Sequence, residues 1–565
     1  MAIIPKSLQR GTGLRTVFAL YLFLTLLLPL LTLVVVAFTD EPANPVNLLL
    51  QGRAGEFCSL LQRFSWEPVR EVFATTRYQQ ALTASLILSA AVAAGATLVG
   101  TLVAFAASLS GVPGRHLFAS LLPIPLAIPP FLGAIGLKLL AGRSGMLNHL
   151  LSPLGLPWPS ELIYSYGGVA LVQVASLFPF VALNVRAALS ELDPSLEEAG
   201  RTLGGAPAWT FATITLPLLA PALGAGFLLT FMLAFGDFGT PLILLPPSQK
   251  LLILEAYKDL TGGLFWAEAA IQSLIIIFFV GAVLLLERRL LAGREYYSLS
   301  VRRATVLPSE ISWFRRGLGF TAAVVFALPL LLIASMFLLA LAASWGARPF
   351  PDALTTANLL RVTVAAPGPL LVTAVAAVLT IGCSLLLGTL AAHFFKRLPG
   401  RGNTLLEFGL SFPLVLPGIA LGIGLIAAYN APPLALHPSA FLLILSYVLT
   451  RTPYALVAVR AALEQIPGTL EEASAALGGR PIFTWRHVLA PVLLPALASA
   501  ALFIYFSVTH DISLTLLLSP PHFVPVSISL YHELDSGRNF LAAAYGTLLF
   551  IATAVPYLIY SAKQR

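Results

Sequence analysis

Apolar residues run along this chain in long blocks, separated by short bursts of polar residues and glycine. Block after block exceeds the roughly 18–20 apolar residues that carry a helix across a bilayer. Six spans are predicted first, at about 17–38, 82–107, 117–140, 167–189, 215–235 and 268–287. Six more follow at about 319–343, 370–394, 404–428, 439–461, 491–517 and 540–561. The first block is too long for a signal peptide and lacks a convincing small-residue cleavage site after it, so it reads as a retained helix. Two spans are interrupted, by LLPIPLAIPP at 121–130 and by LSFPLVLPG at 410–418. Proline removes an amide donor and breaks the helical ladder. Irregular backbone at membrane depth must be buried in protein or line a cavity. Pro125, Pro129, Pro413 and Pro417 therefore mark a candidate translocation pathway, with a packed kink as the plain alternative.

The polar bursts repeat. Residues 197–221 read EEAGRTLGGAPAWTFATITLPLLAP, and residues 471–495 read EEASAALGGRPIFTWRHVLAPVLLP, a shift of 274. The same shift relates Asp237 to Asp511 and Tyr257 to Tyr531. Nearer the front it is 288, relating Gly100 to Gly388 and Pro125 to Pro413, because the connection around 141–166 is longer in the first copy. This is internal duplication. Each copy has an even number of spans, so both insert the same way up, as two bundles related by a pseudo-twofold axis along the membrane normal. The expected fold is an all-α integral membrane protein of about 12 transmembrane helices. Its parts are a six-helix domain at 1–287, a basic linker at 288–316 and a second six-helix domain at 317–565.

Composition excludes a soluble protein: 58% of residues are hydrophobic, 10% are charged, and the mean hydropathy is +0.88, against about 25% charged in soluble domains. The net charge of +8 does not point to nucleic acid, because topology accounts for where the charges lie. Lys6, Arg10 and Arg15 precede the first span; Arg288, Arg289, Arg294, Arg302, Arg303, Arg315 and Arg316 lie between the sixth and seventh; Lys396, Arg397 and Arg401 follow the eighth; Lys563 and Arg565 end the chain. With twelve spans all fall on one side, which the positive-inside rule makes the cytoplasm. Both termini and both polar inserts fall there too. The segment 39–80 is opposite, with Arg53, Arg63, Arg70 and Arg77 set against Asp40, Glu41, Glu56, Glu67 and Glu71.

Candidate chemistry is sparse. Cys58 and Cys383 can build neither a disulfide framework nor a Cys-rich metal site. His510, Asp511, His522, Tyr531, His532 and Glu533 are residue types that can bind ferric ion, but they show no ligand spacing and read as solvated loop residues. The sequence Gly-Lys never occurs, so there is no phosphate loop, and nucleotide chemistry belongs to a separate subunit. No catalytic residue and no metal ligand is assigned. Asp237 and Asp511 lie near the outer ends of the fifth and eleventh spans, where a costly carboxylate either serves the pathway or makes a helix-end hydrogen bond. They are expected to be almost the only polar groups there. Arg186 and Arg460 end the fourth and tenth spans, where they snorkel or pair.

Each insert reads as a bent helix pair. Ser195-x-x-Glu198 and Thr469-x-x-Glu472 are capping boxes. Gly204-Gly205 and Gly478-Gly479 are stops. A second helix follows through Trp209 and Phe211, or Phe483 and Trp485, before Pro217 or Pro491 opens the next span. The pattern Glu-Ala-x(4)-Gly, with Ile-x-Leu-Pro beginning ten residues after the Gly, resembles the cytoplasmic loop of binding-protein-dependent ABC importer permeases. Glu198, Ala199, Gly204, Ile214, Leu216 and Pro217 match it in full; Glu472, Ala473, Gly478, Val488 and Pro491 match it with Ala490 in place of the Leu.

The resemblance implies a transport subunit of a bacterial cytoplasmic (inner) membrane, not an enzyme. Its implied partners are two copies of a cytoplasmic ABC ATPase, an external binding protein (periplasmic or lipid-anchored) and membrane lipid, with no nucleic acid. ATP and Mg would sit on the ATPase, and no cofactor on this chain. AIPPFLGAIG at 127–136 and DFGTPLIL at 237–244 are most similar to ferric-iron importer permeases; thiamine, polyamine and phosphonate importers share the architecture. The rival class is an ion-coupled secondary transporter, also built from six-span repeats, which has no use for two ATPase-docking loops.

Overall fold

The computed structural model describes residues 12–39, 47–48, 51–143, 145–151, 155–156, 158–263, 265–291, 312–345, 350–397, 401–467 and 469–563. The expectations for Lys6, Arg10, Asp40, Glu41, Arg294, Arg302, Arg303 and Arg565, and for most of the 288–316 linker, lie outside the described residues.

Among the described residues ten helices are long and apolar enough to cross a membrane: Gly13–Thr39, Thr76–Ser108, Tyr166–Glu191, Pro207–Gly236, Trp266–Leu290, Trp313–Ala340, Gly368–Lys396, Ala440–Gln465, Ile482–Thr509 and Asn539–Tyr560. They occupy the positions of ten of the twelve expected spans, all but the third and the ninth. Those two are not continuous helices. The ninth is Gly402–Val415 followed by Gly418–Tyr429, bent by 112°. The third is Arg115–Leu121, a 3-10 turn at Pro125–Ala127, and Pro130–Ala141. The cause is the prolines: Pro129 and Pro417 take extended backbone, with ψ 142° and 132°, and start the second piece of each pair.

Packing shows that both broken segments still carry the chain back across. Gly95 faces Val174 and Gly100 faces Phe178 and Val181, so Thr76–Ser108 and Tyr166–Glu191 run parallel. Gly388 faces Ala455 and Leu456, while Lys396 Nζ donates to the Ile466 carbonyl (3.4 Å), so the corresponding pair in the second repeat is parallel too. A chain that leaves one helix and enters a parallel neighbour must return between them. We therefore number the transmembrane passes one to twelve, with passes three and nine broken.

The two repeats exchange their opening helices. In pass one, Arg15 Nε donates to Asn403 Oδ1 (2.9 Å), Phe18 packs on Phe394 and Phe395 at 6.0 and 5.9 Å between ring centroids, and Leu33 lies against Gly424. The Tyr429 hydroxyl donates to the Leu24 carbonyl. In pass seven, Phe326 meets Phe118 and Phe178 of the first repeat at 6.0 and 5.6 Å, and Ser335 Oγ lies 3.3 Å from the Gly136 carbonyl. Each bundle is thus completed by a helix of the other. Small residues permit the closest contacts, as in other membrane helix pairs. A Cβ at Gly100 would fall 2.6 Å from the Phe178 carbonyl oxygen, and one at Gly388 would fall 2.5 Å from Ala455 Cβ.

These contacts predict that Gly388→Leu lowers stability by about 1–3 kcal/mol through overpacking. Gly382→Leu on the same helix, where nothing lies within 4 Å, should be neutral. Thermal unfolding in detergent compares them; equal midpoints would mean that passes eight and ten are not held this closely.

Candidate coupling loops and translocation pathway

The first polar insert folds into a short helix, Pro194–Thr202. Its cap is Asp193, not Ser195: Asp193 Oδ1 accepts from the Ser195 amide at 2.9 Å, and Pro194 fills the first turn. That amide holds the Asp193 carboxyl below the usual carboxylate range. In the second insert the helix Thr469–Ala476 already contains Thr469, so that hydroxyl does not take the cap position either. The capping boxes expected from Ser195-x-x-Glu198 and Thr469-x-x-Glu472 are therefore shifted, because the chain enters each helix one or two residues earlier. Glu198, Ala199, Glu472 and Ala473 point to solvent. Glu197 instead turns inward and accepts from Thr215 Oγ1.

Both helices end in the same way. The Gly205 amide donates to the Gly200 carbonyl (3.0 Å) and the Gly204 amide to that of Arg201 (2.9 Å). The Gly479 amide donates to Ser474 (2.8 Å) and the Gly478 amide to Ala475 (3.0 Å). This is the Schellman arrangement, which needs a left-handed residue after the cap. Gly204 and Gly478 supply it, at φ +85° and +82°. The second glycine is needed for space: a Cβ at 205 would lie 2.7 Å from the Trp209 ring, and one at 479 would lie 2.8 Å from the Ser474 carbonyl oxygen. Ser474 Oγ and Thr484 Oγ1, 2.8 Å apart, clamp the second helix pair. In the first loop Gly200 lies against Thr210 and Ile214.

The tight stop pushes one leucine outward in each copy. Leu203 is 87% exposed and Leu477 91%, more than any other large apolar side chain among the described residues. Leu196, Trp209, Leu470 and Phe483 are exposed around them. The motif reading missed these apolar tips, although Leu-Gly-Gly occurs in both inserts.

Pro217 and Pro491 do not open a new helix. Pro207–Gly236 is continuous from the loop, as is Ile482–Thr509. Each passes through a wide π turn, Phe211–Thr215 or Trp485–Leu489, two residues before the proline. The wider turn makes room for a ring that would otherwise strike the carbonyl four residues back. Ile214, Leu216, Val488 and Pro491 lie in or beside these turns.

At the far end of the same helices sit Asp237 and Asp511. Asp237 Oδ1 accepts from the amides of Gly239 (3.1 Å) and Thr240 (3.4 Å), and Oδ2 accepts from Gln173 Nε2 (2.9 Å). Asp511 Oδ1 accepts from the Leu514 amide (2.8 Å), and Oδ2 pairs with Arg451. Both carboxylates thus bind the first turns of short helices, Gly239–Leu244 and Ser513–Leu518. These turns meet where the repeats touch: a Cβ on Gly239 would lie 2.8 Å from Phe131 and 2.9 Å from Ile512, and one on Gly236 would lie 3.4 Å from Pro417. The structure therefore gathers the breaks at Pro129 and Pro417 and the two aspartate turns at one junction. Pro125 and Pro413 lie in the 3-10 turns one step before it.

This junction is more polar than the sequence suggested. A cavity of about 120 Å³ beside Pro413 is lined by Thr450, Arg451, Tyr454, Ser507, Asp511 and Ser513, among others. Arg451 and Gln173 were missed; Arg451 stands mid-helix in Ala440–Gln465, between two threonines in an apolar stretch. His510 is not a solvated loop residue: it ends pass eleven partly buried, stacks on Phe506, and its shielded Nε2 has no hydrogen-bond partner. Among the described residues no group of three or more His, Cys, Asp or Glu side chains could hold a metal. Cys58 and Cys383 are free and exposed. Arg460 pairs with Glu407 and Glu464.

The family described as "Binding-protein-dependent transport system inner membrane component" matches residues 96–292. The ferric transport system permease protein FbpB of Actinobacillus pleuropneumoniae is 27% identical over 501 residues, 87% of this chain and 72% of that protein. The Fe(3+)-transport system permease protein FbpB 2 of Haemophilus influenzae is 24% identical over 500 residues, 86% of this chain and 91% of that protein. The sulfate transport system permease protein CysW of Synechococcus elongatus is 30% identical over 223 residues, 38% of this chain and 76% of that protein.

Gly204→Val and Gly478→Val should each loosen their loop without unfolding the bundle. A left-handed β-branched residue costs about 1–2 kcal/mol, so local opening, read as tryptic cleavage within the loop, should rise about tenfold. Gly281→Val, in open space on pass six, is the control. Unchanged cleavage of both loop variants would mean that the stops do not hold these helices.

Proposed function

Because the chain belongs to the family of binding-protein-dependent transport system inner membrane components, we propose that it is the fused, double-length permease of an ATP-driven importer whose cargo is ferric iron. It is a multi-pass inner-membrane transport subunit. The observation that carries the reading is the duplicated loop: two short helices with the same Schellman stop, each presenting one almost fully exposed leucine. An apolar tip in water marks an interaction surface. Two tips of one construction call for two copies of one partner, a cytoplasmic ATPase subunit that carries ATP and Mg. Glu198, Ala199, Gly204, Ile214, Leu216 and Pro217 form one coupling element, and Glu472, Ala473, Gly478, Val488 and Pro491 the other. The two six-helix domains are 1–287 and 317–565.

The loop face is the cytoplasmic one on this reading. Lys396 reaches the carbonyls of Leu463 and Ile466 at the root of the second loop, and Arg288 stacks over Phe408 nearby; cationic residues of this kind favour the cytoplasmic side. An external binding protein then docks on the opposite face and selects the cargo. Ferric iron is favoured over sulfate by extent: the ferric permeases match at double length, whereas the sulfate permease matches 223 residues, less than half of the chain. The pathway runs through the junction of Pro125, Pro129, Asp237, Pro413, Pro417 and Asp511.

Two outcomes are expected. Leu203→Glu combined with Leu477→Glu should reduce co-purification of the ATPase at least tenfold and abolish ferric uptake, while the chain still inserts. Normal ATPase recovery would make the loops mere connectors, and a deletion strain that loses sulfate but not ferric uptake would move the cargo to the oxyanion. Separately, after Cys58 and Cys383 are replaced by Ser, cysteines at Thr202 and Ala476 should react with an impermeant maleimide only in permeabilised cells. Labelling of intact cells at either position would invert the topology.

A further inference from the structure

The two aspartate turns are built alike but neutralised differently. In the first repeat Asp237 is served by an uncharged amide, Gln173. In the second, Asp511 is served by a guanidinium, Arg451. The place of Arg451 in the first repeat, 274 residues earlier, holds Leu177. The aspartate turn therefore forms without a cation, and holding Asp511 against the helix start does not explain the arginine.

Arg451 is also an expensive residue where it stands. It is 8% exposed and sits in the middle of pass ten, where a charge is costly and tends to mark a pathway. Its partners are Asp511, the Ser507 carbonyl (2.9 Å) and the Thr450 hydroxyl, and its Nε has none. Beside it lies the 120 Å³ cavity, whose lining includes the oxygen-bearing residues Thr450, Tyr454, Ser507 and Ser513. Oxygen donors with one carboxylate suit a hard cation. A guanidinium already paired to that carboxylate keeps such a site neutral, and the cavity gives the guanidinium room to swing aside.

We propose that Arg451 stands in for a cation at Asp511: its guanidinium holds the carboxylate in this state, and a cationic cargo passing between the repeats displaces it. This rests on the reading of the cargo as a cation. It makes Arg451 a specificity-determining residue: a cation competes for the Asp511 carboxylate, whereas an oxyanion opens the pair only by competing with Asp511 for the guanidinium.

The test uses the purified full-length chain in detergent and terbium(III), a trivalent oxygen-seeking cation whose emission is sensitised by nearby tyrosines such as Tyr454. Arg451→Gln, which imitates Gln173, should bind terbium about tenfold more tightly than the wild type. Arg451→Lys should stay close to wild type, and Arg451→Gln combined with Asp511→Asn should lose the gain. Arg451→Leu, the residue of the first repeat, replaces the Gln variant if size-exclusion chromatography shows the latter to aggregate. Equal titrations of wild type and the neutral variant would overturn the proposal, as would a gain that survives Asp511→Asn. Ferric uptake by cells is measured in parallel. Its absence alongside the terbium gain would reject iron as cargo and keep the cation site, while uptake without the gain would do the reverse.

Discussion

A backbone amide or carbonyl in lipid must find its partner inside the protein, and leaving one bare costs several kcal/mol. Among the described residues ten long helices meet most of that demand within themselves, as α-helices do. The two proline-broken passes cannot, so they need a place away from lipid, buried in protein or lining a cavity. The surface where the two repeats meet is such a place. There Pro129 and Pro417 interrupt their passes, and Asp237 and Asp511 supply acceptors for the amides of Gly239, Thr240 and Leu514. The exchange of passes one and seven follows from the same demand, because a helix lent by each repeat closes the other around its broken pass.

The geometry links this junction to the loops by a single rod. Pro207–Gly236 and Ile482–Thr509 contain 30 and 28 residues, about 45 and 42 Å at 1.5 Å per residue. One end of each joins the exposed-leucine tip across the double-glycine stop, and the other ends one or two residues from an aspartate turn. A π turn lets the proline stay without a break, so a push on the tip reaches the junction along one continuous helix. The Schellman stops matter for the same reason: a floppy tip would absorb the push.

Much of this was legible in the sequence, because bilayer thickness and duplication leave strong periodic marks. The positions of ten helices, the breaks in passes three and nine and the double-glycine stops follow from run length, proline and glycine alone. What was not legible depended on local backbone geometry or on a partner distant in sequence. Ser195 looked like a cap until Asp193 took the place two residues earlier. Pro217 and Pro491 looked like helix starts, because a π turn leaves no signature in composition. Arg451 was hidden as one cation in an apolar run, since only the fold shows that it faces Asp511, 60 residues on. Leu203 and Leu477 looked like ordinary apolar residues until the stop turned them outward.

The central claim is that two loops, moved by nucleotide on a partner, drive the junction through those rods. The most direct test is a distance. Spin labels at Thr202 and Ala476, equivalent exposed positions 274 residues apart, would be followed by double electron–electron resonance in the complex with its ATPase. The account predicts that the distribution moves to shorter distances when ATP is trapped with vanadate and returns on its release. One distribution, unchanged with and without nucleotide while the ATPase stays bound, would contradict it.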